Sequence, residues 1–228
     1  MTFVADVIPV FPLNAVLLPG MALPLHIFEP RYRQLLVDVQ SESGPATFGI
    51  VGLRKGTMLG YPGTGWAEPE IVDVGTLAEI LDVTSYADGA SDLLTVGSRR
   101  FRIRELLTEG TPYLRASVDW LEERDGDLHP AHAAATRRLC IEYFTLLGQL
   151  TGRDVDEQLP RDANLLSYHV AAHLPLTLQD RQDLLVEATA ADRLRRTIAL
   201  LRREIRLLQS TRSISVASDV LNLIPHPN

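Results

Sequence analysis

Lysine is almost missing from this chain: of 22 basic residues in 228, only Lys55 is not arginine. Its neighbours Leu53, Arg54, Gly56 and Thr57 do not form the G-x-x-x-x-G-K-[ST] loop that cradles nucleotide phosphates, so P-loop ATPase chemistry is excluded. A Ser–Lys dyad would have to use the same residue, which stands in a Gly/Pro-rich stretch rather than in a pocket-forming context. Cysteine is nearly as scarce. The lone Cys140 forbids an internal disulfide and a thiolate metal cluster, and fits a reducing cytosol. Positive charge is in deficit overall, with a net charge of -7 and a pI near 5.4, which disfavours electrostatic capture of nucleic acid. There is no G-x-S-x-G nucleophile elbow.

The longest uncharged run, Val7 to Phe28, has the length of a membrane span but is broken by Pro9, Pro12, Pro19 and Pro24. No basic residue precedes it, so the n-region expected of a signal peptide is missing. It reads as two short buried strands, Val7–Val10 and Leu23–Ile27, around a turn at Leu18-Pro19-Gly20. No membrane insertion is expected.

Pro30 then suits a first helical position, and Tyr32, Leu35, Leu36 and Val39 form one apolar stripe. Thr47–Leu53 reads as a strand, Lys55 to Glu70 as a loop, and Val74–Tyr86 as one or two strands. Asp88-Gly89 turns the chain into Leu93–Val96. Period-2 alternation puts Arg100, Arg102 and Arg104 on one face and Phe101 and Ile103 on the other; Leu114, Ala116, Val118 and Trp120 alternate likewise. Beyond Glu122–Pro130 the period becomes helical: Ala131–Leu150, Asn164–Leu174, a helix from Thr177 through Leu185, and Ala190–Gln209. The expected organisation is α+β, with a β-rich part at 1–122, a helical bundle at 123–210 and a tail at 211–228. No fixed-period repeat is present.

Several constellations could carry function. His169 and His173 stand at i, i+4, but Val170 occupies the glutamate position of H-E-x-x-H and no third ligand is evident, so packing or capping is expected. The same holds for His129 and His132, and Cys140 in an apolar helix is a core filler. No catalytic residue, metal or cofactor is expected. Arg195, Arg196, Arg202, Arg203 and Arg206 lie mostly off the apolar stripe of the last helix, as a solvated face or a surface for a partner. Met58, Tyr61 and Trp66 sit among glycines and prolines, where large amphipathic side chains can grip unfolded polypeptide; alternatively Trp66 plugs one end of the β-rich part.

Phe11-Pro12-Leu13, Leu17-Leu18-Pro19-Gly20 and Leu25-His26-Ile27-Phe28-Glu29-Pro30-Arg31-Tyr32, taken in order, resemble the opening of the Lon protease N-terminal domain. Val74-Gly75-Thr76, Val96-Gly97-Ser98-Arg99-Arg100-Phe101, Ala172-His173-Leu174-Pro175-Leu176 and Asp192-Arg193-Leu194 continue it, so the resemblance runs over roughly residues 7–210. It implies a PUA-like pseudo-barrel with one helix, followed by a helical bundle, in a stand-alone domain without the ATPase and protease modules. It also implies recognition of unfolded or partly folded polypeptide in the cytoplasm, as an adaptor or chaperone-like partner of a cytosolic protease. The alternative is a small-molecule or metabolite sensor with its pocket between barrel and bundle. Phe28, Glu29, Arg31 and Tyr32 match the motif and read as structural: strand end, helix start and core contact.

Overall fold

The computed structural model of this chain describes residues 6–41, 43–54, 70–152 and 158–222, with 211–222 as backbone only. It is a mixed α+β structure that divides into two compact units, Met1–Glu123 with Pro175–Val186 and Arg124–Leu174 with Glu187–Asn228.

The first unit is built on a six-stranded sheet. Its strands are β1 (Asp6–Leu13), β2 (Ala22–Ile27), β3 (Thr47–Gly52), β4 (Val74–Ser85), β5 (Ser91–Leu107) and β6 (Leu114–Trp120), with α1 (Pro30–Ser41) between β2 and β3. The order is β2-β5-β4-β3-β1-β6, and a further pairing of β5 with β6 closes β1, β3, β4, β5 and β6 into a pseudo-barrel. β1 and β3 are parallel, which the intervening β2 and α1 make possible as a crossover. The two stretches expected at Leu93–Val96 and Arg100–Arg104 are one 17-residue strand. Its first part pairs with β2, from Ser91 opposite Ile27 to Val96 opposite Ala22, and its last part pairs with β6.

One core cluster lies under α1, where Tyr32, Leu35, Leu36 and Val39 meet Phe11, Phe48 and Ile50. A second gathers Val10, Val51, Phe101, Ala116 and Val118. Two glycines permit backbone approaches that any side chain would block. A Cβ on Gly75 would lie 2.4 Å from Ile50 O and 2.7 Å from Phe101 Cζ, and one on Gly97 would lie 2.4 Å from Leu18 O.

Helix α4 (Leu178–Val186) belongs to this first unit, although the sequence reading placed it within the helical stretch 123–210. Thr177 caps it by accepting the Asp180 N–H at 3.0 Å. Leu184 and Leu185 are buried, and Gln182 donates to Val74 O at 3.0 Å. Arg100 makes the decisive link. It departs from the period-2 expectation, because its side chain is only 1% exposed and is folded inward. Its Nε donates to Glu123 Oε1 at 2.7 Å and its Nη1 to Leu185 O at 2.7 Å.

The second unit contains α2 (Pro130–Thr151), α3 (Ala163–His173) and α5 (Ala190–Asn222). The backbone of α5 continues as helix through the boundary the sequence suggested at residue 210. Its stripe is buried at Leu194, Leu201 and Ile205, facing a core that includes Leu139, Cys140, Tyr143 and Leu166. Arg193, fully buried beside that stripe, donates to Ser167 Oγ at 3.0 Å, Asn164 Oδ1 at 2.8 Å and Glu187 O at 3.1 Å. Its guanidinium lies 4.1 Å from the Tyr168 ring centre. A buried arginine requires this full set of acceptors.

Arg100→Met keeps most of the apolar stem but removes the bonds to Glu123 and Leu185, leaving a buried carbonyl without its charged donor. The expected loss is about 2–3 kcal/mol. Urea unfolding followed by tryptophan emission measures it, since Trp120 lies in the first unit.

Candidate functional site

The residues singled out from the sequence fall in different places. Met58, Tyr61 and Trp66 lie outside the described residues. The chain that leads to and from them is anchored: Leu53 bridges Ile71, and Arg54 N–H donates to Glu70 O at 2.8 Å. Arg195, Arg202 and Arg206 are exposed on α5, whereas Arg196 and Arg203 are half-buried. Arg195 pairs with Asp192, Arg196 with Glu187 at 3.5 Å and Arg203 with Glu204 at 2.9 Å. Thr189 holds the Asp192 carboxyl below the usual carboxylate range by donating to it, with Arg195 adding a smaller charge effect.

The histidine pairs have local partners. His129 Nδ1 accepts the Ala131 N–H at 3.1 Å at the start of α2. His173 Nδ1 lies 2.7 Å from His169 O, with the two rings 4.5 Å apart. Among the described residues, no three His, Cys, Asp or Glu side chains are grouped to hold a metal ion.

A surface the sequence reading passed over lies on the outside of β2 and the first part of β5. In β2, Leu23, Leu25 and Ile27 are more buried, while Ala22, Pro24 and His26 are exposed. The chain continues the outward alternation past the strand end to Phe28, which is 55% exposed. Across the sheet Pro24 faces Leu94, and His26 faces Asp92. Leu94 is 43% and Tyr86 47% exposed. The His26 ring lies 5.9 Å from that of Phe28 and 6.4 Å from that of Tyr86, so the three form one continuous aromatic surface.

Asp92 sits in the middle of this surface with its carboxylate clamped. His26 Nδ1 lies 2.6 Å from Oδ1, and the Tyr86 hydroxyl donates to Oδ2 at 2.5 Å. The Tyr86 bond first, and the His26 bond second, hold the Asp92 carboxyl below its ordinary range. The turn that presents Tyr86 is fixed locally. Tyr86 N–H donates to Ala90 O, Ala90 N–H to Asp88 Oδ1, and Gly89 takes a φ of +82° open to glycine. Period-2 reading carried one residue past Ile27 would have found Phe28.

Among the described residues β2 is also an edge strand, with β5 as its one strand neighbour. Pro24 in it has no N–H to offer an incoming strand, so side chains rather than the backbone edge are what this surface presents. On another part of the same unit, a cleft of about 680 Å³ is lined by Leu13, Val16, Leu53, Val72, Leu178 and Gln182 among others. The Gln182 Oε1 atom is buried there without a hydrogen-bond partner.

A β-rich pseudo-barrel with an uncovered aromatic face defines a class of domain that presents a surface. The chain belongs to the family of the ATP-dependent protease La (LON) substrate-binding domain, whose model matches residues 7–203. The Lon protease of Parabacteroides distasonis is 28% identical over 224 residues, covering 93% of this chain and 26% of that protein. The Lon protease of Roseiflexus castenholzii is 30% identical over 212 residues, covering 90% and 25%. The chain therefore spans about a quarter of the length of the curated relatives it matches. The crystal structure of a Lon N-terminal domain protein from Xanthomonas campestris has a TM-score of 0.63 at 29% identity, over 85% of this chain and 98% of that one. The N-terminal domain of the Mycobacterium avium complex Lon protease, at 18% identity and a TM-score of 0.61, shares the fold over 86% and 98%. No helix among the described residues is long and apolar enough to cross a membrane.

Next to the aromatic surface, α1 is held by Tyr32, which stacks on Phe11 with ring centres 3.8 Å apart. Burial pushes the Tyr32 phenol up to about 12 from 10.0, because the ionised form would lose its hydration. The neutral ring's contribution is complete below pH 10 and is lost as pH rises towards 12, where the unfolded chain has already released its proton. Tyr32→Phe should flatten the fall in stability between those pH values. Urea titrations of both proteins at pH 9 and at pH 11 check it, and parallel losses would contradict it.

Proposed function

We propose that this chain recognises unfolded or partly folded polypeptide and serves as an adaptor or chaperone-like partner of a cytosolic protease, without catalysing a reaction itself. The observation that carries this reading is the grouping of Phe28, Tyr86 and Leu94, each about half exposed, beside His26 on one face of the sheet. An unfolded client offers apolar side chains in no fixed arrangement. An exposed aromatic surface accepts many of them, since rings supply large contact area at little cost in side-chain entropy. Family membership supports the same reading, because the matched domain is described as substrate-binding. Met58, Tyr61 and Trp66 are proposed as a second grip on the client, and the Arg195, Arg196, Arg202, Arg203 and Arg206 surface as the side that meets a partner.

A second reading, a small-molecule sensor, draws on the cleft with the unpartnered Gln182 Oε1, an acceptor that a ligand donor could satisfy. This cleft lies within the first unit, between strands of the barrel and α4.

The test is binding of a fluorescent, permanently unfolded model client. Phe28→Ser should cost ~2 kcal/mol, about thirtyfold in affinity, with little change in melting temperature because the ring is exposed. Trp66→Ala should also weaken binding. Unchanged affinity in a folded Phe28→Ser protein would remove this face from the account. Purified protein should neither turn over ATP nor cleave casein, and activity abolished by one polar substitution would contradict the non-catalytic reading.

A further inference from the structure

We infer that the Asp92 face selects polypeptide segments in which an arginine or lysine stands beside an apolar residue. This rests on the polypeptide-binding reading and names the client chemistry. The carboxylate is not buried within a salt bridge. Its side chain is 49% exposed, and its two partners, a phenol and an imidazole, are not permanent cations. Each oxygen accepts one bond and retains capacity for another, so a guanidinium or ammonium can be received without breaking the clamp. Two donors fix the carboxylate's orientation in advance, which lowers the ordering cost of a charged contact.

The surroundings suit a long basic side chain better than a small cation. Phe28, His26 and Tyr86 form a run of neighbouring rings along which an aliphatic stem can lie, while ring faces attract the charge at its end. The local field has the complementary sign. Asp82 and Asp88 are exposed around the same end of the sheet. Of the nearby arginines, Arg33 donates to Asp88 O at 3.0 Å and Arg31 is buried against Glu29 at 2.7 Å. Pro24 and Leu94 sit one pleat along the same face, next to His26 and Asp92, and would receive the neighbouring apolar residue.

The experiment uses short, labelled, unstructured peptides that differ only in the residue after a Phe-Leu pair: arginine, glutamine or glutamate. Fluorescence anisotropy on the full chain should give the order Arg, Gln, Glu, with about a fivefold gap between the first two. Asp92→Asn should collapse that gap, and so should molar salt on the unaltered protein, a readout that does not depend on any variant folding. Equal binding of the arginine and glutamine peptides to the unaltered protein would overturn the inference. So would an Arg preference that survives in folded Asp92→Asn, or one insensitive to salt. If none of the three peptides binds, the polypeptide reading itself fails. Equal binding of all three leaves that reading standing and removes only the selectivity.

Discussion

The buried Arg100 side chain is the point on which the first unit turns. β5 is one long strand asked to do two things: its first part pairs with β2 and carries the aromatic face, and its last part pairs with β6 and closes the barrel. Arg100 lies between those parts and binds Glu123 at the end of the unit and the Leu185 carbonyl of α4. A guanidinium can hold separate acceptors at fixed angles, which an ammonium on a flexible stem does less well. The return of α4 to the sheet, the packing of Leu184 and Leu185, and the line of β5 are consistent with that one arrangement.

The proposed client face lies on β2 and the part of β5 that precedes Arg100. A surface meant for clients without a fixed shape cannot depend on close complementarity, so it must stay in place while the client adapts. The sheet provides this. β2 and β5 hold His26, Pro24, Asp92 and Leu94 in register, and a tight turn fixes Tyr86 beside them. Apolar area gives such a surface affinity; one clamped carboxylate can give it preference. The proline in the edge strand discourages simple strand addition, which would otherwise offer sticky backbone to any extended chain.

What the sequence revealed depended on how local the cause was. β1, β2 and α1 were legible because their alternation, proline positions and helical stripe are contained in a few residues. The capping role of Thr177 and the glycine turn at Gly89 were legible for the same reason. Arg100 was not, since its burial depends on Leu185, a partner 85 residues away, and nothing in its own period-2 neighbourhood distinguishes it from Arg102 and Arg104. Arg193 was hidden likewise, with acceptors on α3 that only the folded unit brings near. Phe28 was within reach of local reading. Its place in an ordered motif pointed to structure, whereas continued alternation beyond Ile27 points outward.

The most direct test of the account is backbone amide NMR of the chain titrated with an unfolded model polypeptide. If the outer face of the sheet receives clients, shifts should concentrate at His26, Phe28, Tyr86, Asp92 and Leu94, while amides at the α5 arginines stay in place. Shifts confined to α2, α3 or α5, or to the residues lining the Gln182 cleft, would contradict it.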